Sequence, residues 1–573
     1  GSATAVINIT LSPPPTVALS ATTGSGIPGS TVTVTANVTA ANGASALTVT
    51  GASVSPASPI ALTGTTDSKA VTITIPANAV VGSTIAVIFT AKDAQNLNST
   101  AVTFTITVLD PVIQLQGNLT TQTLDAAKPY LLVGQVFIPS GVTLTVPAGT
   151  IIKGDKPTKA VLVVQPGGKL IANGTANNPV VFTSNQDVNA RDRGDWGGIV
   201  ILGNAFVNQS ARPAIEGITP TQNYGTIGTD PSVNATENSG SLQYVRVEYA
   251  GIELTPNNET NGVTFGGVGN GTTVTYVQSS FGGDDSFEWF GGTVNGKYLV
   301  SLSGWDDDFD TDFGWGGNVQ FGLAVRNTFF ADQSGSNAFE SDNQANGNTI
   351  AGVCDATTQA GCTRGVFSNM TILGPRDIQS RSISANYQNA IHIRRRTSIS
   401  IFNSFISGFR IGVRLDDQGT LDNLVAGSGV HQYNVLSVPG STLVGSTTTA
   451  ADAAFATGLS AGDASTVSSY WSSNNNGVFN TVAADSVIGN RGIQTASYWS
   501  SKTAATYPSN PDFTLVAGRT TGPLGALNLN GGANFTNAKL SGGFFIQTTY
   551  RGAFGSTDWT NGWSEFQPST KVY

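Results

Sequence analysis

Asp284-Asp285-Ser286-Phe287-Glu288-Trp289-Phe290 and Asp306-Asp307-Asp308-Phe309-Asp310-Thr311-Asp312 are one pattern written twice in succession. A looser third copy is Asn337-Ala338-Phe339-Glu340-Ser341-Asp342. Asn389-Ala390-Ile391-His392-Ile393-Arg394 and Phe409-Arg410-Ile411-Gly412-Val413-Arg414 keep the same apolar/polar alternation. A repeat of roughly 20–25 residues, built from short alternating segments and Gly/Asn turns, marks a solenoid. Alternation has a period of two, so each coil contributes strands rather than helices. The pattern predicts a right-handed parallel β-helix.

That register stacks residues into columns. Phe287, Phe309, Phe339, Ile391 and Ile411 are expected inside as one apolar ladder. The next outward column reads Glu288, Asp310, Glu340, His392, Gly412, and the one after it Phe290, Asp312, Asp342, Arg394, Arg414. Rungs stack about 4.8 Å apart and same-face neighbours along a strand lie about 6.8 Å apart. Asp310, Asp312, Glu340 and Asp342 are therefore expected to form a compact patch flanked by Arg394 and Arg414. Carboxylates that close raise one another's pKa unless a cation, an arginine or turn N–H groups offset the repulsion.

Composition narrows the function classes. Charged residues make up only 11% of the chain and Gly accounts for 68 of 573 residues, so the surface is built from hydroxyls and amides. Such a surface suits extracellular all-β proteins, and surface-layer or adhesin-type chains among them. A net charge of −9 argues against nucleic acid as a partner, since no basic stripe is available to release counterions. Arg394-Arg395-Arg396 is the one cationic run, and in a strand it alternates faces. Cys354 and Cys362 are the only cysteines and predict one disulfide and an oxidising compartment. With two His and one Met, little material exists for zinc, haem or copper. No apolar run reaches the roughly 18–20 residues that span a bilayer, so no transmembrane segment is expected.

Residues 1–110 read as a separate module. Thr31–Val38, Lys69–Ile75 and Ala101–Val108 are alternating strands between Gly/Pro/Asn turns, as in an immunoglobulin-like sandwich without a Cys–Trp–Cys core. They resemble the bacterial Ig-like modules that space or anchor surface proteins. Leu109-Asp110-Pro111 is the expected hinge, and residues 114–573 the β-helix. Two lateral insertions are expected, at about 210–238 and 440–515. A short Ala-rich helix is expected at Thr447–Gly462. The closing aromatics Phe554, Trp559, Trp563 and Phe566 are expected to cover the open end of the coil, which otherwise exposes an unpaired edge.

The segments GDWGGIVILGNA, DDSFEWFGGTVNGKYLV, DDDFDTDFGWGGNVQF and GAFGSTDWTNGW resemble a widespread group of secreted bacterial β-helix proteins, over roughly residues 115–573. The resemblance implies fold and secretion and lends no catalytic role. Pectate lyases and polygalacturonases share the broader β-helix fold, by analogy of fold alone.

Three chemistries fit the carboxylates. Asp306, Asp307, Asp308, Asp310, Asp312, Glu340 and Asp342 offer hard oxygen ligands suited to Ca²⁺, which takes 6–8 oxygens. Alternatively, Asp310 and Asp312 could be the carboxyl pair of a glycosidic site, with His392 and Arg394 positioning sugar or moving a proton. Against this, the chain has no Asn-Thr-Asp or Gly-His-Gly element. Lastly, the carboxylates could cap turns and pair with Arg326, Arg394 and Arg414. Phe309 is expected in the core, with Trp305 and Trp315 either core or sugar platform. The combined expectation is a Ca²⁺-stabilised bacterial cell-surface protein that associates with itself, with cell-surface polysaccharide as a further partner. The alternative is a secreted polysaccharide hydrolase or lyase.

Overall fold

A computed structural model of the chain describes residues 12–255, 258–344, 352–355, 357–376, 382–437, 461–479, 511–515 and 529–573. The chain divides into two compact units, Gly1–Ile113 and Gln114–Tyr573.

In the first unit the Thr/Val alternation turns every second side chain inward. Thr16–Leu19, Thr31–Thr39, Thr66–Thr74 and Ser53–Ser55 lie side by side in one sheet. Thr23–Gly26, Val102–Val108, Thr84–Asp93, Ala44–Thr50 and Ile60–Ala61 make a second. Val34, Ile73, Phe89 and Ile106, drawn from both sheets, are fully buried in one shared core.

The second unit is a parallel β-helix with three faces. Face A stacks Val161–Val164, Ile199–Leu202, Val263–Val268, Phe287–Gly292, Phe309–Asp312, Phe339–Ser341, Asn389–Ile393 and Ile411–Leu415. Face B includes Thr143–Pro147, Lys169–Asn173, Val366–Ser368 and Ser400–Phe402. Face C includes Ile151–Gly154, Val180–Ser184, Thr371–Leu373 and Phe405–Ser407. In several coils one long strand, such as Asn295–Leu302, bends from face B to face C. The inward side chains merge into one continuous core, in which Phe287, Phe309, Phe339 and Ile391 are fully buried.

The B–C bend recurs at Tyr244, Tyr276, Tyr298, Phe321, Asn369, Asn403 and Tyr433, all left-handed with φ between 49° and 62°. Each such residue costs about 1 kcal/mol or more unless its surroundings hold it. Here the aromatic side chains hold one another, stacked at 4.3 Å (Tyr244–Tyr276), 4.4 Å (Tyr276–Tyr298) and 5.0 Å (Tyr298–Phe321).

Three expectations change. The closing aromatics do not cap the end of the coil. Trp563 packs edge-on against Tyr244 and Tyr276, Trp559 against Tyr298, and Phe554 and Phe566 join Val300, Leu323 and Phe405 in a second apolar cluster. On the middle coils the outward side chains of face C include Val300, Leu302, Leu323, Val325, Leu373 and Phe405, so the tail is drawn along the side rather than over the end. At the late end, Val467 and Trp471 of the helix Ala461–Ser473 join the core instead, with Trp471 stacked on His431. The helix expected at Thr447–Gly462 falls, apart from its last two residues, outside the described residues. A helix not foreseen, Gln418–Val425, starts at Asp417, whose side chain accepts from the Thr420 N–H.

The third change is one of register. Ile391 pairs with Val413 and His392 with Arg414, so Ile411 sits beside Asn389 instead of extending the apolar ladder. A two-residue slip keeps every side chain on its own face, so alternation alone could not detect it.

Candidate metal centre

Face A acquires its charge from the outward positions of successive rungs. Glu288 lies beside Asp310, Asp310 beside Glu340, Glu340 beside His392, and His392 beside Arg414. One step along, Phe290 pairs with Asp312, while Asp342, Arg394 and Asp416 each directly follow a paired residue. Asp416, not Arg414, therefore follows Arg394 in this column.

Before each strand a buried side chain stitches one coil to the next. Asp285 accepts from the Asp307 N–H at 2.7 Å, Asp307 from the Asn337 N–H, and Asn337 from the Asn389 N–H at 3.0 Å. Asp307 is thus a structural rung.

Asp308 departs from the expected patch altogether. It points into the coil, fully buried, where Ser301 donates to it at 2.6 Å and Arg326 lies at 3.2 Å. Its position matches Ser286 and Ala338 of the neighbouring copies, so the repeat places it facing inward. Burial pushes it up to about 6, against the pull of Arg326.

The remaining carboxylates fall into two electrostatic groups. On the later rungs the charges are paired. Arg394 reaches Glu340 at 2.6 Å and Asp342 at 2.7 Å, and Arg395 reaches Asp342 at 2.8 Å. His392 bridges Glu340 at 3.4 Å and Asp416 at 3.0 Å, and Arg414 holds Asp416 at 2.5 Å. Burial works against the charged form of Glu340, but His392 and Arg394 outweigh it and hold its carboxyl far below its ordinary value. His392 is raised despite burial, by Asp416 and Glu340. Asp342 is pushed up to about 6 because burial wins over its two arginines.

On the earlier rungs the pairing stops. Asp285, Glu288 and Asp310 each present an oxygen within 4.8 Å of the others, and Asp284, Asp285 and Asp306 form a second such group. Asp285 and Glu288 are buried, each 8% exposed. Among the described residues no ion pair reaches Asp285, Glu288 or Asp310. Their polar partners are the Asp307 N–H for Asp285, Asn261 for Glu288 and the Thr311 N–H for Asp310. Burial, reinforced by Glu340 and Asp342 and eased by Arg394, pushes Asp310 up to about 8. Asp284, Asp285, Glu288 and Asp312 lie well above the carboxylate range, from burial first and from neighbouring carboxylates second. Asp306 is pushed up to about 7 by burial, then by Glu340 and Asp332. Asp312 accepts from the Phe313 N–H at 2.7 Å and belongs to neither group.

The second group opens into a pocket of about 500 Å³ lined by Glu253, Glu259, Gly283, Asp284, Asp306, Asp332, Gln333 and Ser334. Over the face lies the insertion between Leu202 and Gly240. It is held there by Tyr224 against Phe290 and by Asn208, which donates to Asn343 and to the Gly361 carbonyl. Glu216, in the same insertion, is pushed up to about 7 by burial and by Glu259. Cys354 and Cys362, which close a disulfide, flank Gly361. Trp289, Trp315 and Phe309 are fully buried and stack in the core, while Trp305 donates to Asp332 at 2.6 Å beside the pocket.

The seven carboxylates expected to share one site are therefore divided. Asp310 and Asp306 join separate groups, Glu340 and Asp342 are neutralised by cations, Asp307 is in the ladder, Asp308 is in the core, and Asp312 stands apart. The set passed over Asp284, Asp285 and Glu288, although the repeat places them beside Asp306, Asp307 and Asp310. Glu253 and Glu259 face each other on a short antiparallel hairpin outside the repeat, Asp332 and Glu216 come from non-repeating loops, and none carries a periodic signal.

Carboxylate oxygens in this arrangement can hold a hard cation such as Ca²⁺, whose ligands lie at 2.3–2.6 Å, or bind protons above pH 7. As general catalysts they are crowded: His392 and Arg394, the two groups best suited to proton transfer, are each held by two carboxylates. No curated protein and no solved structure matches the chain significantly. Residues 117–476 match the family described as the pectate-lyase-like β-helix domain, and the chain belongs to that family.

Proposed function

We propose that this protein is a Ca²⁺-loaded β-helix scaffold of the bacterial cell surface. The supporting observation is the group Asp285, Glu288 and Asp310: three carboxylates converge within 4.8 Å without an ion pair among the described residues, one rung from a place where the same fold supplies arginine. Burying three such charges together costs several kcal/mol unless protons or a cation neutralise them. Ca²⁺ suits the all-oxygen donor set, and the disulfide agrees with an oxidising, extracellular setting. The resemblance to secreted bacterial β-helix proteins supports the same placement.

The N-terminal unit is read as an immunoglobulin-like spacer. Two sheets over one core, with the first two strands divided between them, agree with that fold. Self-association through polar, ion-bridged contacts, in a surface layer or adhesin, is the assembly this composition suits. Full-length protein stripped of metal should stay dispersed and should form sheets or filaments on Ca²⁺ addition. A chain that stays monomeric at high protein and Ca²⁺ concentration rules assembly out.

The family match favours a second reading, a polysaccharide lyase or hydrolase. It predicts release of unsaturated or reducing ends from acidic polysaccharide, abolished by Arg394→Lys. The scaffold reading predicts no release.

A further inference from the structure

The tail, residues 529–573, lies along the outside of the coil and doubles back on itself: Asn534 sits at Asn403, Phe544 at Lys297 and Gly552 again at Asn403, and from Trp559 at Tyr298 the chain runs in the reverse direction to Tyr573 at Lys153. It is not added as a strand of the sheets. Coil side chains hold its backbone. Gln278 donates to the Glu565 carbonyl at 2.7 Å and accepts from the Glu565 N–H at 2.8 Å. Gln320 treats Ile546 the same way, both bonds at 2.8 Å. Asn403 does so for Asn534, at 3.0 and 2.8 Å. All three amides are completely buried. A side-chain amide presents the same donor and acceptor as a peptide group, so each pair imitates one step of a β-ladder and reads no side chain. Specificity comes from Trp559 and Trp563, which meet the stacked tyrosines.

Buried amides are costly without partners, so a coil that displays three of them is built to be covered by a chain segment that offers its backbone at those three places. We propose that face C and its tyrosine bend are a peptide-binding groove that accepts residues 529–573 as a separate chain, the segment that a second copy also carries. The grip combines hydrogen bonds at the three amides, aromatic contact at the two tryptophans, burial of Phe554 and Phe566 and an ion pair of Arg246 with Glu565 at 3.9 Å, and none of these requires the segment to be tethered. This inference is independent of the metal centre.

The test is to insert a protease recognition sequence between Leu515 and Leu529 of the full chain, fold it, cut it and pass it over a sizing column. The cut tail should stay with the coil and exchange slowly for a fluorescent synthetic peptide of residues 529–573. A peptide carrying Trp559→Ala and Trp563→Ala should compete at least tenfold less well, a comparison that leaves the coil unaltered. Gln278→Leu with Gln320→Leu in the coil should weaken peptide capture at least a hundredfold. Loss of the tail on cutting with no recapture of peptide overturns the proposal. So does capture that is indifferent to both tryptophans.

Discussion

Two neighbouring stretches of face A use the same columns and reach opposite electrostatic solutions. On the rungs of Glu340 and Asp342, two arginines and a histidine stand beside the acids, and Glu340 is held ionised. One and two rungs earlier, Asp285, Glu288 and Asp310 meet no cationic side chain in an ion pair among the described residues, and all three are raised. The backbone is nearly identical in the two places, since every rung pairs in register. The difference is therefore one of chemistry. This fold can neutralise its acids with its own side chains, and at one site, among the described residues, it brings three together without a cationic partner.

Breaking the paired region should have the largest effect. Arg394→Leu strands Glu340 and Asp342 as buried, partly uncompensated charges, and removing one partner of such a network costs about 3 kcal/mol. Thermal melting of the coil should fall accordingly, and the effect should persist with Ca²⁺ present if the ion sits on the earlier rungs.

Ca²⁺ itself should rank next. An ion bound only by the native state contributes about 2.7 kcal/mol at a hundredfold excess over Kd. Chelation should lower the melting of the β-helix and leave that of residues 1–113 unchanged, as followed by calorimetry.

A pH series sharpens the contrast. Carboxylates raised in the folded state favour the native form while protonated, so their penalty grows as pH rises through the ordinary range near 4 and levels off near the folded value. For Asp310 that value is about 8 and for Asp306 about 7. Metal-free protein should therefore lose stability from pH 5 to pH 8.5. Ca²⁺, which binds the deprotonated groups, should flatten that slope.

The smallest effect is expected from Asp312→Asn, which lies outside both carboxylate groups and caps the Phe313 N–H. It should change Ca²⁺ affinity less than tenfold, as read by the same melting titration.

Much of this contrast was legible in the sequence because the repeat is chemical as well as geometric. Phe287, Phe309 and Phe339 in one column and Glu288, Asp310 and Glu340 in the next follow from alternation alone. Asp308 reads as part of the patch by its charge, whereas its position in the repeat, shared with Ser286 and Ala338, faces inward. Arg414 was misplaced because a slip of two preserves alternation. The pocket acids Glu253 and Glu259 come from a short hairpin and Asp332 from a loop, all outside the repeat, so nothing in the chain's periodicity could bring them together. The aromatic residues of the tail signal a surface to be covered without saying which surface, so from sequence the end of the coil and its side read alike.

The central claim is that Asp285, Glu288 and Asp310 hold a divalent cation. It is tested most directly by calorimetric titration of metal-stripped full-length protein with Ca²⁺ at pH 7, in two buffers of different ionisation enthalpy. The account predicts saturable binding with net proton release, lost in Glu288→Gln with Asp310→Asn while the metal-free double variant melts no lower than the parent. Binding that survives the double substitution unchanged, or no binding to the parent at millimolar Ca²⁺, would contradict it.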